Sequence, residues 1–376
     1  MNSFPLFDNL NITEYPMVYG YYTLGIFLQH RQDIEPIYIR MNANNAGYCG
    51  HDEENYDWLE PQINAALANG KIVCLIVWDE NVIFLRNRQL EQICNKYADD
   101  RFYLITQIEE PANDVYKVPH KWQGYHLLKC KIIELPWWLL NDCLTYYRVA
   151  DRTPHTYTYS QKNYLSMVGN AWYEHKFNLL RQLVKYNLQN YGILTAQQQS
   201  DIPEDLVNYC IPNEAPPYQN CNPQYAKMAA QVMVGDTWIS KNVENYMYIQ
   251  NRYSDVPLIM NSETVMIKLF ATEKSIWPIL LGKLFLTYGR PRIMQYVQRF
   301  YDVDISSYAN LDFDAVEGYS YESQILRAMN MIEKNHNLIK DCSGMHASLQ
   351  PQLEAARWTF GKNMYNYFVS QIKKIV

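Results

Sequence analysis

The stretch KIVCLIVW, Lys71 to Trp78, sets the tightest limit on the fold, because every interior position is apolar. A strand with one wet face alternates apolar and polar side chains. A strand apolar on both faces must be covered on both, as in a parallel sheet between layers of helices. Its surroundings agree. PIYIRM (Pro36 to Met41) and RFYLITQ (Arg101 to Gln107) also read as strands, and the segments between them read as helices: DWLEPQINAALANG, ending at Gly70, and RNRQLEQICNKYA. Strands alternating with helices imply crossover units and a parallel sheet.

At 376 residues, 48% hydrophobic and 19% charged, the chain has apolar material for two cores. The alternation breaks at ELPWWLLNDCLTYYRVADRTPH, which places the domain boundary near residue 152. We therefore expect a first domain over 1–152, a second over 153–345, and a final helix over 346–376. In the second half TYTYSQKNYLSMV reads as a strand, AWYEHKFNLLRQLVKYNL as a helix, and GILTA as a further strand. Gln197 to Tyr225, rich in Pro, Gln and Asn, reads as a long surface loop. From Val256 the order is strand VPLIM, helix, and buried strand KLFLTYG.

The net charge of −6 argues against a protein that holds nucleic acid by bulk electrostatics. The local basic stretch GRPRIMQYVQR reads as a solvated helix face. The eight cysteines form no CxxC pair, a pattern of reduced thiols rather than a disulfide framework or zinc site. MNSFPLFDNLNITEYP has no secretory pattern, and no apolar run is as long as a membrane span, so a cytoplasmic protein without a membrane span is expected.

Within FATEKSIWPILLGK, Thr272 reads as a helix N-cap, which puts Glu273 and Lys274 in the first turn. A lysine there meets the positive end of the helix dipole, a repulsion of about 0.3–1 kcal/mol that a bound anion would cancel. Right-handed crossover places this helix start at the carboxyl end of the preceding strand, beside Asn261, Ser262 and Glu263. In open parallel sheets that rim is where ligands bind. Helix N–H groups and an ammonium suit a diphosphate, and the carboxylates of Glu263 and Glu273 suit sugar or ribose hydroxyls. Pro278 removes the helical hydrogen bond to the Lys274 carbonyl, so the first turn is expected to kink.

These residues, in NSETVMIKLFATEKSIWPILLGKLFLTYG, resemble the donor-binding signature of fucosyltransferase-like glycosyltransferases and related sequences common in tailed phages and marine microbes. SMVGNAWYEHKFNLLRQLVKYNLQNYGILT is similar to the family's earlier segment, and LDFDAVEGYSYESQILRAMNMI stands in the place of its Ser-Tyr-Asp turn with a downstream arginine, here Tyr319, Ser320, Tyr321, Glu322 and Arg327. The resemblance covers roughly Tyr157 to Glu333. It implies an α/β fold of the GT-B kind: two Rossmann-like domains with parallel sheets facing across a cleft, acceptor side first and nucleotide sugar on the second. It further implies Thr272, Glu273 and Lys274 at the nucleotide and diphosphate, Asn261, Ser262 and Glu263 near the donor sugar, and Asn170 with Lys176 near the phosphates. The family's arginines after the asparagine are absent, so only His175 and Lys176 supply positive charge there. The final helix would pack back toward the first domain.

Glycosyl transfer needs positive charge on the leaving diphosphate, and often a base at the acceptor hydroxyl. Lys274 takes the first task with Lys176 assisting. Base candidates are Asp79 and Glu80 after KIVCLIVW, and Asp52 within the HDEEN cluster. No DxD-type pair follows a strand in the second half, so no metal and no cofactor beyond a UDP- or GDP-linked donor is expected. Two acceptor classes stay open: a hydroxymethylated base in phage DNA, with the host cytoplasm as location, or a surface glycan. DNA would need a basic groove, for which Arg86, Arg88, Arg290, Arg292 and Arg299 are candidates. A catalytically inactive binding protein of the same fold is the rival reading. A dehydrogenase is disfavoured because no GxGxxG follows an early strand.

Overall fold

The computed structural model describes residues 31–39, 56–77, 88–98, 101–106, 129–135, 143, 162–168, 174–196, 202–212, 256–263, 271, 273–318 and 320–375. The described residues form two parallel sheets. The first has β1 (Ile34–Ile39), β2 (Ile72–Val77), β3 (Phe102–Thr106) and β4 (Lys131–Glu134), lying side by side in chain order. Helix α1 (Leu59–Ala68) crosses from β1 to β2, and α2 (Arg88–Lys96) from β2 to β3. Gly70, at φ 77°, stops the first of these as expected.

Strand order explains why KIVCLIVW is apolar throughout. Each crossover steps the same way, so right-handedness puts both helices on one face. Val73, Leu75, Phe102 and Leu104 pack there with Leu59, Ile63, Leu90 and Ile93. Cys74, Ile76, Tyr103 and Ile105 point to the opposite face and join the larger core of the second half. A long C-terminal helix, α8 (Ser343–Ile372), reaches β4, with Phe368 and Ile372 in that same core. Arg31 closes the contact, donating from both Nη1 and Nη2 to the carbonyl of Ile375 at 3.3 Å. The final helix thus touches the first sheet, and it runs from Ser343 to Ile372 rather than from residue 346.

The second sheet contains β5 (Tyr164–Val168), β6 (Gly192–Ala196), β7 (Cys210–Pro212), β8 (Leu258–Ser262) and β9 (Leu284–Tyr288), in the order β7-β6-β5-β8-β9. The chain steps outward from β5 to β7, then returns to lay β8 against the other side of β5. Helices α3 (Asn178–Lys185) and α4 (Glu273–Leu280) follow β5 and β8 in opposite directions, so right-handed crossovers set them on opposite faces. α3 packs on α6 (Tyr321–Lys334), and α4 packs on α8. α5 (Ile293–Gln298) follows β9, and α7 (His336–Lys340) leads into α8. The fold is thus α/β with two parallel sheets of the kind a two-domain Rossmann-like protein has. Among the described residues no helix is long and apolar enough to cross a membrane.

Two sequence expectations change. The long loop holds a 3-10 turn, Glu204–Leu206, and the edge strand β7, paired to β6 through Leu194 and Cys210. A strand of three residues ending in proline carries too little pattern to read, and proline is tolerated there because the strand is an edge. The basic stretch GRPRIMQYVQR is a solvated face only in part: Arg292, Gln295 and Arg299 are exposed, but Arg290 is 2% exposed, and Ile293, Met294, Tyr296 and Val297 are buried in α5.

The pairing of Tyr164 with Gly192 is tight. The Tyr164 ring fills the space a side chain would occupy at 192, since a Cβ there would lie 2.3 Å from two ring carbons. The Tyr164 hydroxyl donates to the Leu188 carbonyl at 3.0 Å and holds the ring in place. Gly192→Ala is expected to lower stability by about 1–3 kcal/mol through overpacking, seen as a lower urea midpoint.

Candidate functional site

The strand ends of the second sheet are level. Val168 pairs with both Ala196 and Ser262, and Ser262 with Tyr288, so β5, β6, β8 and β9 finish on one rim. Strand order reverses between β5 and β8, and the connections leaving that pair diverge to opposite faces, the topology that opens a binding crevice.

The three residues at the end of β8 each tie down a different neighbour. Asn261 donates from Nδ2 to the Lys274 carbonyl. That carbonyl is the one Pro278 leaves without a helical donor. Ser262 Oγ donates to the Lys176 carbonyl at 3.1 Å, fastening the 3-10 turn Glu174–Phe177 that follows β5. Glu263 accepts from Ser275 Oγ at 2.7 Å, and its backbone N–H donates to the Tyr288 carbonyl at 2.8 Å. Asn261, Ser262 and Glu263 are 0%, 0% and 2% exposed. Gly289 lets the end of β9 approach, because a Cβ there would stand 3.2 Å from Glu263 Cβ.

Positive charge collects on this rim. Lys176, Arg290 and Arg327 are buried, against the carboxylates of Glu263 and Asp314, and Lys274 is half-buried. Arg327 donates to the carbonyls of Gly289, Val316 and Gly318 at 3.0, 2.9 and 2.7 Å, which fixes both loops beside the crevice. Asp314 accepts from the backbone N–H groups of Met294 and Gln295 at 3.2 and 3.1 Å and so caps α5. Burial pushes its carboxyl up to about 6, with those N–H bonds and Arg327 opposing. His175 moves the other way: burial first, then the charges of Lys176 and Arg327, lower it to about 3.

His175 is therefore neutral at ordinary pH and corrects the expectation that it supplies positive charge. Lys176 keeps its place on the rim, as do Lys274, Asn261, Ser262 and Glu263. Thr272, Asn170, Asp79, Glu80 and Asp52 lie outside the described residues, as does the side chain of Glu273. Sequence reasoning missed Ser275 and Asp314, whose partners are distant in the chain or on the main chain. For Arg290 and Arg327 it read the residue type without the depth. Ser320 caps α6 by accepting from the Ser323 N–H at 3.2 Å, and Glu322 is exposed in its first turn.

No family model, curated protein or solved structure matches this chain.

These groups give stability a definite pH dependence. His175 and His346, the latter lowered to about 4 chiefly by burial, bind protons in the unfolded chain below 6.5 but resist them in the fold. Their contribution is full above pH 6.5 and is lost as pH falls through that window. Asp314 acts oppositely. Unfolded it ionises above 3.8, folded only above about 6, so its contribution is present below 3.8 and lost by 6. The shifts correspond to about 5 kcal/mol for His175 and about 3 for each of the others. The histidines win: stability measured by urea midpoints rises from pH 4 to 6.5, and Asp314→Asn steepens the rise.

Proposed function

We propose that the protein is a nucleotide-sugar-dependent glycosyltransferase that holds the donor's diphosphate at the switch point between β5 and β8. The observation that carries this reading is the concentration of buried cations, Lys176, Arg290 and Arg327, with Lys274 at the helix start beside them. Burying a charge costs several kcal/mol unless a counter-charge or hydrogen bonds offset it. A diphosphate docked on this rim would bring such a counter-charge to it. A diphosphate is the anion whose departure such a field assists, by stabilising the charge that develops on the leaving group. On this reading Lys274 and Lys176 face the phosphates, and the first domain supplies the acceptor and the base, from Asp79, Glu80 or Asp52. The two sheets correspond to the halves of a GT-B arrangement.

For the acceptor, Arg290 is buried, whereas Arg292, paired with Glu317 at 2.8 Å, and Arg299, over the rings of Tyr296, Phe300 and Tyr367, are exposed. Arg86 and the side chain of Arg88 lie outside the described residues. Glycan and DNA are therefore both carried into the test.

The test is a thermal-shift series with UDP, GDP, ADP and CMP. A nucleotide at a hundred times its Kd adds about 2.7 kcal/mol of stability, so one of them should raise Tm clearly. Lys274→Ala and Lys176→Ala are each expected to weaken that nucleotide about 10- to 100-fold. Absence of any shift, or unchanged affinity in both variants, overturns the reading. Transfer from the matching sugar nucleotide to glycan or to hydroxymethylated DNA, followed by mass spectrometry, assigns the acceptor.

A further inference from the structure

The geometry points to Asn261 as a positioning residue: its side-chain amide replaces the helical hydrogen bond that Pro278 removes, and so fixes the turn that carries Lys274. The inference rests on the reading above that Lys274 faces the donor's diphosphate.

An α-helix bonds each carbonyl to the N–H four residues on. For Lys274 that partner is Pro278, which has no N–H. At the far end of the helix Leu281 N–H reaches the Trp277 carbonyl at 2.9 Å, and Lys283 N–H closes the helix on the Pro278 carbonyl at 2.8 Å. The vacancy that Pro278 leaves is at a first-turn carbonyl, and Asn261 Nδ2 donates to it. The amide's orientation follows from chemistry, since only its NH2 group can face a carbonyl. The remaining atom, Oδ1, is buried and has no hydrogen-bond partner among the described residues, on a residue that is 0% exposed. A residue so enclosed is poorly placed to contact a sugar. It is well placed to hold the end of β8 and the start of α4 in register. Ser275 adds a second tie one residue further on, to Glu263.

If Asn261 acts by filling that vacancy, restoring the helical N–H makes it dispensable. Pro278→Ala supplies an N–H aimed at the Lys274 carbonyl. In the native chain Asn261→Ala is expected to weaken UDP or GDP, whichever binds, about tenfold. In the Pro278→Ala background the same change should cost less than about twofold, and Pro278→Ala alone should leave affinity unchanged. Asn261→Leu, which keeps most of the volume but donates nothing, should repeat the pattern and separates the lost bond from a cavity. Tm without nucleotide is read in parallel: Asn261→Ala lowers it in the native chain and lowers it less beside Pro278→Ala. An equal Tm loss in both backgrounds overturns the inference. An undiminished affinity loss from Asn261→Ala in a Lys274→Ala chain also overturns it, by making Asn261 a direct ligand. Coupling in Tm without nucleotide binding supports the hydrogen-bond role and rejects the glycosyltransferase reading alone, so the two failures are distinct.

Discussion

The rim of the second sheet depends on one hydrogen bond that a helix lacks. α4 has eight residues, too few for a helix to be stable by its own propensity, so packing and terminal contacts decide where it sits. Pro278 takes away a further internal bond. A buried carbonyl left unpaired costs about 1–3 kcal/mol, comparable to the burial of an apolar side chain. Asn261 removes that cost from the strand side, so β8 itself ties down the helix start. Ser275 and Glu263 repeat the link with the donor on the helix. Two ties from adjacent helical residues to the strand end fix both the height and the rotation of the first turn, and with them the origin of the Lys274 side chain.

Crossover handedness accounts for the rest of the architecture. Applied to the order β1-β2-β3-β4, it stacks the helices on one face and leaves the other bare, so the sheet needs a cover from elsewhere in the chain. α8 takes part in that cover, and because it also packs on α4, one helix joins β4 of the first sheet to the helical layer of the second. Applied to β7-β6-β5-β8-β9, the same rule sends α3 and α4 to opposite faces and opens a crevice between their starts. The candidate site is assigned to the second sheet because, among the described strands, that is where the strand order reverses.

Elements buried on both faces were legible in the sequence. KIVCLIVW is a continuous apolar run and KLFLTYG nearly one, broken by Thr287, because parallel strands between helical layers have no wet side, and Gly70 stops α1 for a local steric reason. β7 was not legible, since three residues show no period. At the site, the end of β8 could be placed from chain order, so Asn261, Ser262, Glu263 and Lys274 fall on the rim where expected. Their work could not be read, because each partner lies elsewhere: 13 residues away for Asn261, 86 for Ser262 and 12 for Glu263. Charge was the least legible property. A sequence states that residue 175 is histidine and residue 290 arginine, whereas burial decides that the first is neutral and the second is enclosed. Burial is a property of the assembled rim.

The neutral histidine shows how the rim resolves its own electrostatics. Guanidinium groups do not give up their proton in proteins, so Arg327, held by three carbonyls, stays charged. His175 is the group beside it that can yield, and it does. An anion docking on the rim would offset the repulsion from Lys176 and Arg327 and push the imidazole back up. That repulsion is the smaller cause of the lowering, however, and burial is the larger. A ligand that fills the crevice excludes more water and strengthens the larger cause. His175 would therefore stay neutral under a bound ligand, offering one N–H and one lone pair, and the field on a diphosphate would come from the lysines and arginines.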